Sequence, residues 1–286
     1  MSKSIPPLLQ PYLALPSESS LILLTSVLGA SPNWLILRYI HSLLLPSPST
    51  STSSTESEGP VEPRILFVSF LRDLNFWREN GRKIGLDLDK LHQTSRLHFV
   101  DGLSGLHLPA TAVPNPPYGT ILRDPSPSVI FPILTKLIST LQSSPSSTPT
   151  PPPIILIIDS LDYLLSCSAS AQTQTPSISS HLLTLRSLTH STILSLSADS
   201  SLLSSQSTPL THHISTFTLS LAHSADMLIS VRELDTGAAR DVSGVLRVTR
   251  GGQGFVGHGE GKEVEEKELL YFVGGDGGVR VFERGQ

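Results

Sequence analysis

The amino-acid sequence predicts an α/β fold: a largely parallel central sheet with helices on both faces and an antiparallel extension at the carboxyl-terminal end. Residues 154–158 are all aliphatic, and a strand of this kind is buried on both faces in the middle of a parallel sheet. Strand and helix patterns alternate from residue 20 onward, which implies right-handed crossovers between parallel strands. The fold class depends on these two observations and on a hairpin pattern near the carboxyl terminus.

The elements of the parallel part follow one another in strand–helix pairs. The first pair is a strand at 21–27 and a helix at 33–45, with Ser31 as the expected N-cap and Pro32 at the first helical position. A strand at 65–70 precedes an amphipathic helix at 73–84, which stops at Gly85. The remaining strands are predicted at 97–101, 154–158, 192–196 and 227–231, and the remaining helices at 128–141, 178–190 and 210–223.

The pattern changes to short strands after residue 234. Strands are predicted at 244–249, 269–273 and 279–282, and the sequence GGDGG at 274–278 joins the last two. Such a glycine-rich stretch between apolar runs is typical of a hairpin turn. The carboxyl-terminal strands therefore extend the sheet in an antiparallel arrangement.

Four low-complexity segments interrupt these elements. They lie near 46–60, 143–153, 166–177 and 198–209 and are rich in Ser, Thr and Pro. Segments of this composition bury too little apolar area to order themselves, so we expect them to be disordered. Because they fall between predicted elements they mark no domain boundary, and residues 1–286 are predicted to form one domain.

Composition narrows the function classes. The net charge is −4 and charged residues make up 15% of the chain, so no global basic field attracts nucleic acid. The single cysteine, Cys167, cannot form an internal disulfide, which fits a reducing compartment such as the cytoplasm. The apolar stretch 21–45 is broken by Pro32 and carries Arg38 and His41, so we expect no membrane span.

Asp159 follows the aliphatic strand and is the chief candidate functional residue. In nucleotide hydrolases a carboxylate in this position, called Walker B, helps to hold the magnesium ion of the nucleotide. The matching phosphate-binding loop after the first strand needs several glycines and a lysine, but residues 25–34 retain only Gly29 and contain no lysine. Pro32 also removes one N–H donor from this loop.

A second part of a hydrolase site is also missing. Enzymes of this fold commonly carry a glutamate at the end of the second strand to orient the attacking water, whereas residues 67–71 offer only Ser69. The ten histidines have no cysteine or paired carboxylate at ligand spacing, so no metal is expected. We therefore predict no catalytic residues, no cofactor, and no nucleotide binding at the degenerate positions Gly29 and Asp159.

In the order of its strands and in several short segments, the chain resembles the RecA/KaiC-like ATPase superfamily and, within it, the family of Elongator complex protein 6. The resemblance spans residues 20–283 apart from the low-complexity segments. The segments that carry it are LLTS at 23–26 with NW at 33–34, VSFLRD at 68–73 with FW at 76–77, KIGLDL at 83–88, LHFVDGL at 97–103, IDSLD at 158–162, HSAD at 223–226 and residues 237–247.

This resemblance implies a non-catalytic subunit with a RecA-like fold. The implied partners are Elongator proteins 4 and 5 in a six-membered ring, tRNA bound by the assembled ring, and the remaining Elongator subunits. The implied process is wobble-uridine modification of tRNA, in the cytoplasm and also in the nucleus. The RNA-binding candidates are the arginines around the late strands, where ring ATPases of this kind line the central opening: Arg232, Arg240, Arg247 and Arg250.

Two alternatives remain open at this point. The first is an active ATPase of the KaiC or recombinase-mediator type with a degenerate phosphate loop, and the second is a self-assembling filament subunit. A lysine in the loop after the first strand would favour the ATPase, and this sequence has none there.

Overall fold

The computed structural model describes residues 5–45, 62–109, 118–144, 151–167, 171–204, 208–237, 239–253 and 264–283. Their strands are β1 (Ser20–Ser26), β2 (Arg64–Ser69), β3 (Leu97–Asp101), β4 (Thr120–Ile121), β5 (Ile154–Asp159), β6 (Ser191–Ser197), β7 (Met227–Arg232), β8 (Gly244–Arg250), β9 (Lys267–Val273) and β10 (Val279–Phe282). Their helices are α1 (Asn33–Leu44), α2 (Leu74–Lys83), α3 (Leu88–Gln93), α4 (Ser104–His107), α5 (Pro127–Ser143), α6 (Asp162–Ser166), α7 (Ala171–Leu188), α8 (Ser200–Leu203) and α9 (Pro209–Ser224).

The ten strands form one sheet in the order β10-β9-β8-β7-β1-β6-β5-β2-β3-β4. All pairings from β7 to β4 are parallel, and those among β7, β8, β9 and β10 are antiparallel. The predicted fold class is therefore confirmed, including the antiparallel extension at the carboxyl-terminal end.

The aliphatic strand β5 lies between β6 and β2 and is buried along its whole length. Its odd-numbered Ile155 and Ile157 belong to the core on one face of the sheet, while Leu156 and Ile158 belong to the core on the other. A strand that packs on both faces needs apolar side chains at every position, which explains the uninterrupted run.

Helices cover the two faces of the sheet in separate groups. Buried residues of α1, α2 and α3 belong to the first core, and buried residues of α5, α6, α7 and α9 belong to the second.

Of the helices that the structure describes, none combines the length and the apolar character that a membrane crossing requires.

Two helix starts differ from the prediction in their caps. Helix α1 has Pro32, not Ser31, in the N-cap position, and no side chain caps it. Helix α2 begins at Leu74, and the Asp73 carboxylate accepts a hydrogen bond of 3.0 Å from the Phe76 backbone N–H. The aspartate is thus the cap of α2, one of the residue types favoured there, and not its first residue.

The sequence did not predict α3, α4, α6, α8 and β4, which have two to six residues each and are too short to show a periodic pattern. Two segments expected to be disordered are partly helical, because α7 begins at Ala171 and α8 spans Ser200–Leu203. Ile178, Leu182 and Leu185 anchor α7 in the core, and extending an anchored helix costs little per residue. The first segment, 46–60, lies outside the described residues.

Candidate functional site

Asp159 ends β5 at the carboxyl edge of the sheet, between Ser69 on β2 and Ser195 on β6. The Ser69 hydroxyl donates to Asp159 Oδ2 at 2.9 Å, and the Ser195 hydroxyl donates to Oδ1 at 2.8 Å. Only 1% of Asp159 is exposed. Both carboxylate oxygens therefore have side-chain donors in a buried position, as expected for a residue that holds strands together.

The two serines are themselves fixed by backbone donors. Ser69 Oγ accepts from the Arg72 N–H at 3.2 Å, and Ser195 Oγ accepts from the Ser160 N–H at 2.8 Å. Ser160 has a left-handed backbone with a φ of 57°, which turns its N–H toward β6. Ser69 thus stands where a hydrolase would place its glutamate, and it binds Asp159 instead of a water nucleophile.

Asp162 is a second buried carboxylate, on the helix that follows Asp159. Burial raises the pKa of both carboxyl groups, and the hydrogen bonds from Ser195 and Ser69 oppose this increase at Asp159. Asp162 Oδ2 accepts from the Ser197 N–H at 3.2 Å, whereas its buried Oδ1 has no hydrogen-bond partner among the described residues. Removal from water thus disfavours the charged form of both carboxylates.

We expect Asp159→Asn to change the pH dependence of stability. A carboxyl group whose pKa is raised by folding stabilises the native state fully at low pH, and that contribution is lost as the pH rises through its folded pKa. The amide cannot ionise, so the free energy of unfolding of the variant minus that of the wild type should increase between pH 4 and pH 8. Urea unfolding at each pH measures this difference.

Asp124→Asn is the matched control, because the pKa of this fully exposed carboxyl group is lowered by hydrogen bonds from Ser126. For this control the same difference should stay nearly constant between pH 4 and pH 8, because a carboxyl group whose pKa is lowered from 3.8 is largely ionised in both the folded and the unfolded chain over that range. A constant or decreasing difference for Asp159→Asn would show that Asp159 is held in its ionised form, as in a working metal site.

The loop between β1 and α1, where a phosphate-binding loop would lie, is occupied by carboxylates of the chain itself. Asp199 Oδ1 accepts from the Leu28 N–H at 2.8 Å. Gly29 has a φ of 93°, and a β-carbon placed on it would lie 2.2 Å from Glu233 Oε1. An anion at this loop would meet two carboxylates instead of free N–H donors, which disfavours phosphate.

The sequence alone does not place Asp199 and Glu233 in this region. They follow β6 and β7, and only the strand order brings them to the loop after β1.

Asp101, at the end of β3, is also bound within the chain. Its carboxylate accepts hydrogen bonds from the N–H groups of Leu103 and Ser104 at 2.8 and 2.7 Å. Within the described part of the chain, no group of three or more His, Cys, Asp or Glu could hold a metal ion.

Three of the four candidate RNA-binding arginines lie on the β7–β8 pair, and Arg240 lies in the segment that connects these two strands. The register places Arg232 at the carboxyl end of β7 and Arg250 beside its amino end, about 17 Å away at the usual rise of a strand. Arg247 lies between them on β8, opposite Glu268 of β9. These residues are thus spread along the strands and do not form one compact cluster.

Two of the arginines are engaged within the chain. Arg232 Nη1 donates to Asp235 Oδ1 at 2.6 Å, and Arg250 Nε donates to a backbone carbonyl before β9 at 3.2 Å. Arg240 and Arg247 are exposed. The exposed pair is therefore better placed to contact phosphate than the other two.

A family model described as Elongation complex protein 6 matches residues 61–271. The chain belongs to the Elongation complex protein 6 family. It is accordingly a subunit of Elongator with a RecA-like fold, and this family is one of non-catalytic subunits. No curated protein matches the sequence.

Among solved structures, the chain is similar to a KaiC-like protein from the hyperthermophilic archaeon Pyrococcus horikoshii. The TM-score is 0.58 at 13% sequence identity, and the match covers 99% of this chain and 98% of that one. At this identity the similarity supports the fold alone. Membership of the Elongation complex protein 6 family thus depends on the family match, and the RecA-like fold on both comparisons.

Proposed function

We propose that this Elongator subunit has no catalytic activity and forms a RecA-like hetero-hexameric ring with Elongator proteins 4 and 5. The ring binds tRNA and supports the modification of its wobble uridine by the remaining Elongator subunits. The subunit works in the cytoplasm and also in the nucleus. It requires no cofactor and no metal ion.

The family match over residues 61–271 is the observation that carries this proposal. The geometry of the carboxyl edge supports its non-catalytic part. Asp159 is bound by two serines, and the loop after β1 is faced by Asp199 and Glu233. Because the contacts that would hold magnesium and phosphates are replaced by contacts within the chain, the scaffold is used for assembly and not for hydrolysis.

The alternative is a degenerate ATPase of the KaiC or recombinase-mediator type, which the structural similarity to a KaiC-like protein brings into consideration. Such an enzyme needs a cation at the terminal phosphates, commonly a lysine of the loop after β1. Residues 25–34 contain none. The observations therefore favour the non-catalytic subunit.

Assembly tests the proposal directly. When the purified chain is mixed with Elongator proteins 4 and 5, native mass spectrometry should show one closed complex of six chains that contains all three proteins. Each protein alone serves as the control. A failure to associate, or a defined hexamer or filament made by this chain alone, would contradict the proposed ring.

A further inference from the structure

The antiparallel extension of the sheet has a face that no described helix covers. The second core lies on this side of the sheet, and its described side chains reach only as far as Leu228, near the start of β7. Within the described part of the chain, the strand register puts five further residues on this face, and none of them belongs to either core. We call them the open face: Arg247, Leu270, Phe272, Arg280 and Phe282.

On the open face an arginine lies over an aromatic ring. Arg280 and Phe272 are directly opposite each other on β10 and β9, and the guanidinium carbon is 5.0 Å from the centre of the ring. Arg280 is exposed, and Phe272 is partly exposed. A guanidinium held over a ring in this way presents its outer side to solvent, where a further flat group can stack on it.

A second ring lies diagonally across from this pair. Phe282 is opposite Leu270, which is two residues from Phe272 on β9. Diagonal neighbours in an antiparallel pair are about 7–8 Å apart. One flat group cannot stack on both the Arg280 guanidinium and the Phe282 ring at this separation, whereas two successive bases of a single strand can.

Two cations of the open face are exposed, Arg247 and Arg280. Within the described part of the chain, neither of them forms an ion pair. Glu268, opposite Arg247 on β9, lies 3.9 Å from Arg232, and Glu266, before β9, accepts a hydrogen bond of 3.0 Å from a backbone N–H of β8. Both nearby acids thus have other partners, which leaves the two guanidiniums to an anion from outside.

We propose that the open face binds unpaired nucleotides of RNA. One base stacks on the Arg280 guanidinium, the next stacks on the Phe282 ring, and Arg247 contacts phosphate. Exposed cations beside the rings attract phosphates but oppose the burial of apolar side chains, so they favour a nucleic acid over an apolar protein segment. This inference rests on the proposed function and names the part of the RNA that is bound: its single-stranded nucleotides.

Fluorescence anisotropy of the purified chain with a labelled oligouridylate of about eight nucleotides tests this site. We expect saturable binding with a Kd of about 1–100 µM at physiological salt. A duplex RNA of the same length should bind about tenfold more weakly, because its bases are stacked on one another and cannot stack on the protein.

Two substitutions separate stacking from charge. Phe272→Leu keeps an apolar side chain but removes the ring under the guanidinium, and Arg280→Lys keeps the charge but removes the flat surface. Each should weaken binding of the oligouridylate about fivefold or more. Phe76→Leu is the matched control, because Arg72 lies 5.3 Å from the Phe76 ring in a similar pair on α2, and it should leave the Kd unchanged. Thermal unfolding verifies that the three variants are folded.

Any of four results would overturn the proposal. The first is the absence of saturable binding up to about 1 mM, tenfold above the expected range. The second is duplex binding as tight as single-strand binding, and the third is an unchanged Kd in either folded variant of the open face. The fourth is a loss of assembly with Elongator proteins 4 and 5 at unchanged RNA affinity, which would make the open face a protein interface.

The failure of this inference can be told apart from the failure of the proposed function. A ring that binds tRNA equally well with and without Phe272→Leu and Arg280→Lys contradicts the inference alone. A chain that binds the oligouridylate through these residues but forms no ring contradicts the proposed function alone.

Discussion

Replacing Arg240 and Arg247 together by glutamate should weaken the binding of tRNA to the assembled ring by about tenfold or more, while the mass of the ring stays unchanged. Both side chains are exposed and lie on the segment between β7 and β8 or on β8 itself. Since the isolated chain carries a net charge of −4, its contribution to RNA binding must come from such local cations. Several copies around one ring would bring these cations together.

Salt dependence distinguishes phosphate contacts from an indirect effect. Each phosphate contact that is lost should reduce the slope of log affinity against log salt concentration by about 0.7 to 0.9. The double variant should therefore show both a weaker affinity and a shallower slope. Fluorescence anisotropy with labelled tRNA at 50 to 200 mM salt, a range over which such contacts have a large effect, measures both quantities.

Lys90→Glu with Lys136→Glu is the control, because these exposed lysines lie on α3 and α5 and the change in net charge is the same. This control should keep its affinity. If the Arg240 and Arg247 variant binds tRNA as tightly as the wild type, these arginines are ordinary surface charges. Reversal of Arg232 is expected to have a smaller effect, since Asp235 already neutralises it.

The fold was largely predictable from the sequence because its strongest signals are local. The aliphatic run of β5 and the glycine-rich turn before β10 each specify an element within a few residues. The short helices α3 and α6 and the two-residue strand β4 could not be predicted in this way. The start of α7 was also missed, because its first turns depend on core contacts made further along the helix.

The candidate site was predictable only in part. The missing lysine and the position of Asp159 can be read from the sequence, and so can Ser69 in place of a glutamate. The carboxylates of Asp199 and Glu233 could not be placed, since Asp199 is 171 residues from Leu28, whose N–H it accepts from. The antiparallel register, which places Arg232 and Arg250 near opposite ends of β7, could not be read from the sequence either.

We also expect this chain to lack the nucleotide affinity that is usual for its fold. A working site gathers magnesium, a lysine and several loop N–H groups around the phosphates, and these contacts provide most of the affinity. Here the Leu28 N–H is bound to Asp199, Glu233 lies against Gly29, and Asp159 is buried between two serines. ATP with magnesium should therefore bind no more tightly than about 1 mM.

Isothermal titration calorimetry of ATP and magnesium into the purified chain tests this central claim. We expect heats no larger than those of dilution at micromolar concentrations, for the wild type and for Asp159→Ala alike. Modest hydrolysis by the assembled ring would leave the claim intact, because partner subunits can supply the missing groups. Micromolar binding by the isolated chain that is lost in Asp159→Ala would contradict it and would establish Asp159 as part of a working nucleotide site.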